Sequence, residues 1–347
     1  MRNLWKSLVK ANFQWYIFAM SEDYTEEDSV VSFMEFGAID TKNSKRDIWG
    51  FKTHQKAYDW FMLSRYANDM VAYRKMIRFI EKGDTESALK LYGEEIHHPD
   101  DASLNISKLL ALEVVGRRTS AEPSFIELGS TIFGHIEGME LVQSVLRSKN
   151  IGDIGTDLAA VEWHGIDISD FLNEIAVQLH EQKYKVHVYL ERKDAPSGTS
   201  LFFAKGVTLL YAFNTVSDFI ELINKSDIAL FDYSFSMSDI QKTTIGTGKS
   251  VTYLNYEEFM KALEGTGKKL TVRKGKTKYN PENKRLWVEC IVANEADTAA
   301  FIDLDTKVRI GLKEALPTSE AADYFTQQAT EGMFEWMPVE DFVKQAI

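Results

Sequence analysis

The feature that most constrains this chain is a change of texture after Glu122-Pro123. From there, short apolar runs alternate with amphipathic ones, the pattern of a mainly parallel sheet with helical crossovers. The strand candidates are SFIEL (124–128), AAVEWHGIDI (159–168), YKVHVYLE (184–191), VTLLYAF (207–213), DIALFDYSF (227–235), KKLTVRKGK (268–276) and RLWVECIVAN (285–294). Helices are expected at 136–148, 169–182, 217–225 and 256–265. The last two strands are joined without a helix by the loop TKYNPENK, which predicts an antiparallel hairpin at the sheet edge.

The centre of this region is residues 124–138, SFIELGSTIFGHIEG. Apolar residues lead into an acidic one, glycines punctuate a turn, and an amphipathic run follows. Glycines let a backbone approach a ligand closely, and the free amides at a helix N-terminus favour polar or anionic groups. Gly129 and Gly134 are therefore the first binding candidates, although an ordinary strand-to-helix turn has the same signature.

The order of elements, closing on a hairpin, resembles the class I S-adenosylmethionine-dependent methyltransferases over roughly residues 120–295. Glu127, Gly129 and Gly134 resemble that family's first motif, and WHGIDISDFLNEIA resembles its second-strand segment. The resemblance implies a Rossmann-like α/β fold, a seven-stranded mainly parallel sheet with a terminal antiparallel hairpin, and S-adenosylmethionine as cofactor. It also implies that Asp167 holds the ribose hydroxyls, that Glu127, Gly129, Ser130 and Gly134 form the loop beside the ligand, and that Asn214 follows the fourth strand on the cofactor side. Thr131 and Phe133 depart from the family, standing where alternate glycines are usual. The expected activity is methyl transfer to a small-molecule acceptor. Two other readings stay open: a noncatalytic ligand-binding or interaction protein that keeps the fold, and a nicotinamide-dependent oxidoreductase. His135, His164, Asp232 and Tyr233 are candidates for a proton acceptor, each equally compatible with a structural role.

Residues 1–120 read as a mainly helical cap or substrate domain, 121–295 as the cofactor domain, and 296–347 as an extension packed on the core or on a second subunit, with Phe334, Trp336 and Met337 as apolar anchors. Sixteen of the first eighty residues are aromatic against 12% for the whole chain, enough either to stack a substrate or to fill a junction between domains. His97, His98, Asp100 and Asp101 carry ligand-type side chains but read as a loop and helix cap, so no metal is expected. IGTGKS ends like a phosphate-binding loop, yet Thr243 occupies the first glycine position of that motif.

The net charge of −12 argues against a nonspecific nucleic-acid binder and leaves small molecules or proteins as partners, with a homo-oligomer compatible. The single Cys290, in an apolar run, predicts a buried thiol and a reducing, cytoplasmic setting. The run at 1–20 is broken by Lys6, Lys10, Asn12 and Gln14, which makes a poor signal peptide, and membrane insertion is not expected.

Overall fold

The computed structural model describes residues 54–96, 101–119, 122–205, 209, 215–238, 241–244, 250–316, 320–330 and 335–346. Three helices come first: α1 (His54–Glu81), α2 (Thr85–Glu95) and α3 (Asp101–Arg118). Asp84 caps α2 by accepting the Ser87 amide at 3.0 Å, the role an Asp before a helix commonly takes. Then follow β1 (Ser124–Leu128), α4 (His135–Ser148), β2 (Glu162–Ile166), α5 (Asp170–His180), β3 (Lys185–Tyr189) and β4 (Thr199–Ala204). The chain continues through α6 (Val216–Asn224), β5 (Ser226–Ser236), β6 (Gln241–Thr244), β7 (Ser250–Tyr253), α7 (Tyr256–Glu264), β8 (Lys269–Arg273), β9 (Lys278–Asn280) and β10 (Arg285–Ala293). It closes with α8 (Glu295–Ala315), α9 (Glu320–Thr330), β11 (Trp336–Pro338) and α10 (Val339–Ala346).

The main sheet runs β11-β8-β10-β5-β4-β1-β2-β3, with β9 also on β10. Strands β3, β2, β1, β4 and β5 are mutually parallel, and β10 inserts antiparallel between β5 and β8. This is the expected α/β, Rossmann-like arrangement, but with nine strands where seven were expected. The extra two are β9 and β11, three-residue strands whose brevity hides them from any periodicity argument. The hairpin strand β10 lies inside the sheet, since β8 and then β11 pair beyond it.

The fourth strand is also corrected. It is TSLFFA, Thr199–Ala204, not VTLLYAF, of which only Leu209 lies among the described residues, and that residue is helical. Both runs are apolar. The strand is the one preceded by the turn residues of APSG, which supply the break a buried strand needs. Asn214 lies outside the described residues, immediately before Thr215, whose hydroxyl caps α6.

Each face of the sheet carries its own core. Phe125, Phe203, Leu230 and Ile291 point towards α1–α5, α8 and α9, where one continuous cluster includes Met70, Leu110, Met139, Phe301 and Phe325. The strand residues between them, Ile126, Phe202, Phe231 and Val292, point to α6, α7 and α10. Each central strand is therefore apolar on both sides, as a doubly covered sheet requires. Cys290 is buried in the second cluster, and burial raises its thiol pKa well above the usual value. None of the described helices is long and apolar enough to cross a membrane.

Candidate functional site

Strand order reverses between β1 and β4, so the crevice beyond the carboxyl ends of these strands is where a sheet of this kind leaves room for a ligand. The loop leaving β1 there adopts a conformation that its sequence disguises. Gly129 has φ 71°, Thr131 φ 49° and Phe133 φ 56°. Three alternate residues are thus left-handed, and two of them are not glycine. Each non-glycine costs about 1–2 kcal/mol in that region.

The Phe133 ring shows what offsets this. It is fully buried, edge-on to His180, and lies so close to Gly165 of β2 that a Cβ there would sit 2.4 Å from its Cζ. The side chain added at Phe133 occupies the room that Gly165 leaves. It points into the core beneath the loop, so the altered motif keeps its backbone course with the ring on the protein side.

Asp167, directly after β2, closes the other side of the crevice. One carboxylate oxygen accepts the Thr131 amide at 3.1 Å and the other accepts the Ser169 amide at 3.0 Å. The carboxylate therefore ties the left-handed loop to the start of α5. Beyond it Ile168 is 77% exposed, and Leu190, at the end of the neighbouring strand β3, is 44% exposed. Leu190 lines a groove with Val188 and with Asn173 and Val177 of α5, while Ile168 follows the strand positions that face the other side of the sheet.

A ribose-bearing sulfonium donor, which the resemblance implies, fits this chemistry. A carboxylate oxygen can accept more than one hydrogen bond, so the two amides on Asp167 are compatible with a ribose hydroxyl beside them. The Thr131 hydroxyl, buried at the loop, has no hydrogen-bond partner. Gly129 supplies the left-handed turn, with its amide donating to the Ile166 carbonyl at 2.8 Å. Ser130 is buried too, but its Oγ faces the Gly165 position. Gly134 is enclosed by Tyr66 and Met70 of α1, which places it against that helix. Glu127 is buried with Lys108 Nζ at 3.5 Å and His135 Nε2 at 3.7 Å, so it anchors α3 and α4 to the sheet.

The second half of the crevice lies past β4. The strand register, Phe203 with Leu230 and Leu230 with Ile291, brings Lys205, Asp232 and Glu289 to one height on the α3 face. The row lies one to three strand spacings, about 5–14 Å, from the glycine loop. A cavity of ≈ 200 Å³ opens there, walled by Phe203, Lys205, Asp232, Trp287, Glu289 and Trp336 among others.

Its polar wall is fixed from behind by a buried ion network. Arg273 Nε lies 3.1 Å from Glu289, and its two terminal nitrogens donate to Ser103 Oγ at 2.7 Å and Ser107 Oγ at 2.9 Å. Arg309, also fully buried, donates to the same two hydroxyls at 3.2 Å and pairs with Asp305 at 2.7 Å. Trp336 donates its indole N–H to the other Asp305 oxygen at 3.0 Å and lies over the Arg273 guanidinium at 4.7 Å. Burial pushes the Asp305 carboxyl up, but Arg309, Arg273 and the hydrogen bonds outweigh it, and the net shift is downward.

The proton-acceptor candidates are separated by this geometry. Asp232 lines the cavity. His135 sits at the start of α4 beside Glu127 and edge-on to Tyr66. His164 lies mid-strand, stacked on His187 and within 3.2 Å of the Tyr189 hydroxyl; burial first, then His187, lowers its pKa. Tyr233 is buried on the opposite face with its hydroxyl accepting the Leu254 amide at 3.1 Å, and burial pushes its pKa up to about 12. The sequence reasoning missed Lys205, Trp287, Glu289 and the exposed Ile168. An isoleucine after a strand-end acid was the one readable signal among them.

His97, His98 and Asp100, the IGTG residues before Lys249, and Phe334 lie outside the described residues. Among the described residues no group of three or more His, Cys, Asp or Glu side chains is placed to hold a metal.

No family model matches the chain, and no curated protein matches it. Solved structures similar to it include the N-terminal domain of EvdMO1 with SAH and D-fucose, at 10% identity and TM-score 0.38, covering 57% of this chain and 83% of that one. Another is the O-methyltransferase of a Brevibacillus brevis trans-AT PKS multienzyme in complex with S-adenosyl-L-homocysteine, at 8% identity and TM-score 0.37, covering 75% and 93%. A third is Streptomyces venezuelae DesVI, at 10% identity and TM-score 0.32, covering 56% and 92%. These values are too low to lend the chain a role, so the reading of the site rests on its own geometry.

Proposed function

We propose that this chain is a methyltransferase that takes S-adenosylmethionine as donor and a small molecule as acceptor. The observation that carries the reading is the Asp167 carboxylate joined to a β1 loop with left-handed residues at 129, 131 and 133. Strain of that kind persists only where the surroundings over-determine it, and it concentrates at ligand sites. Gly129 and the loop backbone would hold the amino-acid end of the donor, Asp167 the ribose, and the exposed Ile168 one side of the base. When bound, the donor supplies a methyl carbon made electrophilic by positive sulfur.

The chain's own part is to align the acceptor and exclude water. Asp232 is the group placed to take a proton from the acceptor, because it alone of the four candidates lines the cavity. The helical segment before residue 120 contributes Leu104 and Ser107 to the cavity wall, and the segment after residue 295 contributes Trp336. We assign these two segments to the acceptor side and residues 121–295 to the donor side. The insertion of antiparallel β10 sets this sheet apart from the all-parallel dinucleotide-binding sheet, which weighs against the oxidoreductase reading. A setting in the cytoplasm fits the single buried thiol.

Asp167→Asn keeps the shape and one carbonyl acceptor but removes the charge. Binding of S-adenosylhomocysteine should weaken by about tenfold or more, as loss of a charged hydrogen bond to ligand entails. Undiminished affinity in a variant that melts like the parent would remove Asp167 from the site.

A further inference from the structure

Resting on the methyltransferase reading, we propose that the cavity between β4, β5 and β10 takes a neutral, polyhydroxylated single-ring acceptor, such as a monosaccharide or cyclitol unit. Size is the first argument. At ≈ 200 Å³ the cavity is smaller than the about 300–1,000 Å³ typical of sites for drug-sized ligands, a size that suits a single ring.

The wall chemistry is the second. Trp287 and Trp336 give apolar ring surfaces, while Lys205 offers donors and Asp232 and Glu289 offer acceptors. A ring with C–H faces and hydroxyl edges uses all of these at once, and its own hydroxyls find partners as they leave water.

Charge is the third. Glu289 is already matched by Arg273 at 3.1 Å, and Lys205 stands one strand from Asp232 at the same height. The lining charges therefore cancel, which favours neither a cationic nor an anionic acceptor. Asp232 and Glu289 are also direct cross-strand partners. Two carboxylates opposite each other destabilise a sheet unless something satisfies them. Arg273 does so for Glu289 from behind. The Trp336 indole N–H is held by Asp305, so the ring presents a fixed surface that needs no ordering when ligand binds.

The test uses tryptophan fluorescence of the full-length protein titrated with methyl α-D-glucopyranoside, methyl β-D-galactopyranoside and myo-inositol. Tetramethylammonium chloride and sodium benzoate serve as charged controls, and every titration is run with and without saturating S-adenosylhomocysteine. A saturable change with at least one polyol is expected, weakened by about tenfold in Trp287→Phe and in Asp232→Asn, with none from the charged controls. No saturable change with any polyol overturns the proposal, as does a polyol signal that both variants leave intact. Saturation by tetramethylammonium or benzoate alone would assign the cavity to a charged acceptor and equally overturn it. Calorimetry with S-adenosylhomocysteine on the same samples separates the two readings: polyol binding without nucleotide binding removes the donor assignment and leaves this one standing.

Discussion

Both faces of the sheet bury an apolar core, but one of them also buries a set of charges. The α6–α7 face is closed by aromatic packing: Phe219, Phe231, Tyr233, Phe235 and Phe259 stand with ring centroids 4.7 to 6.0 Å apart. The α3–α8 face instead buries Lys108, Glu127, Arg273, Asp305 and Arg309. Well-packed hydrophobic residues are often at least as stabilising as a buried ion network, so stability alone gives little reason for the second solution. Its charges stand behind the cavity and the glycine loop, at the carboxyl edge where the crevice opens. One face is scaffold, and the other holds groups in fixed positions for a ligand.

The strongest way to break this comparison is to remove one partner on the charged face. Arg309→Met leaves Asp305 buried without its cation and should cost about 3–5 kcal/mol in denaturant unfolding. A loss under about 1 kcal/mol would mean the network is not held as described. On the aromatic face Phe259→Ala should cost a similar 3–5 kcal/mol through its cavity, yet leave nucleotide affinity unchanged in folded protein. If affinity fell as well, the division into scaffold and site would fail.

A smaller effect sharpens the account of the loop. Gly165→Ala places a Cβ against the Phe133 ring and should cost about 1–3 kcal/mol. Phe133→Ala in the same chain should recover part of that loss, and a double-mutant cycle with no coupling would refute the compensation between the two positions. The least effect is on pH dependence. The Asp305 pKa is depressed on folding, so its contribution is fully present above the unfolded carboxyl value of about 4 and is lost as pH falls through the folded value. Asp305→Asn should flatten the acid limb of the stability profile relative to the parent; an unchanged limb would contradict the ion pair.

The sheet was legible because its strands are apolar runs bounded by turns, and β1, β2, β3, β5, β8 and β10 lie where those runs predict. The fourth strand was not, since TSLFFA and VTLLYAF are equally apolar and only tertiary pairing with β1 and β5 chooses between them. The loop was misleading in a different way. Thr131 and Phe133 suggested a lost motif, but φ angles are invisible in sequence, and the compensating Gly165 lies 32 residues beyond Phe133 in another strand. Asp167 was readable as a strand-end acid. That it also holds the loop was not: Asp167→Asn keeps one of its two backbone contacts, whereas Asp167→Ala loses both. The cavity drew on α3, β4, β5, β10 and β11 together, a convergence that no local pattern announces.

Calorimetric titration of the purified protein with S-adenosylmethionine and S-adenosylhomocysteine, with NAD and NADP as controls, tests the central claim most directly. Micromolar, one-to-one binding of the sulfur nucleotides and no heat from the dinucleotides is the predicted result. Absence of sulfur-nucleotide binding, or binding of a dinucleotide in its place, would contradict the assignment of the Asp167 crevice to a methyl donor.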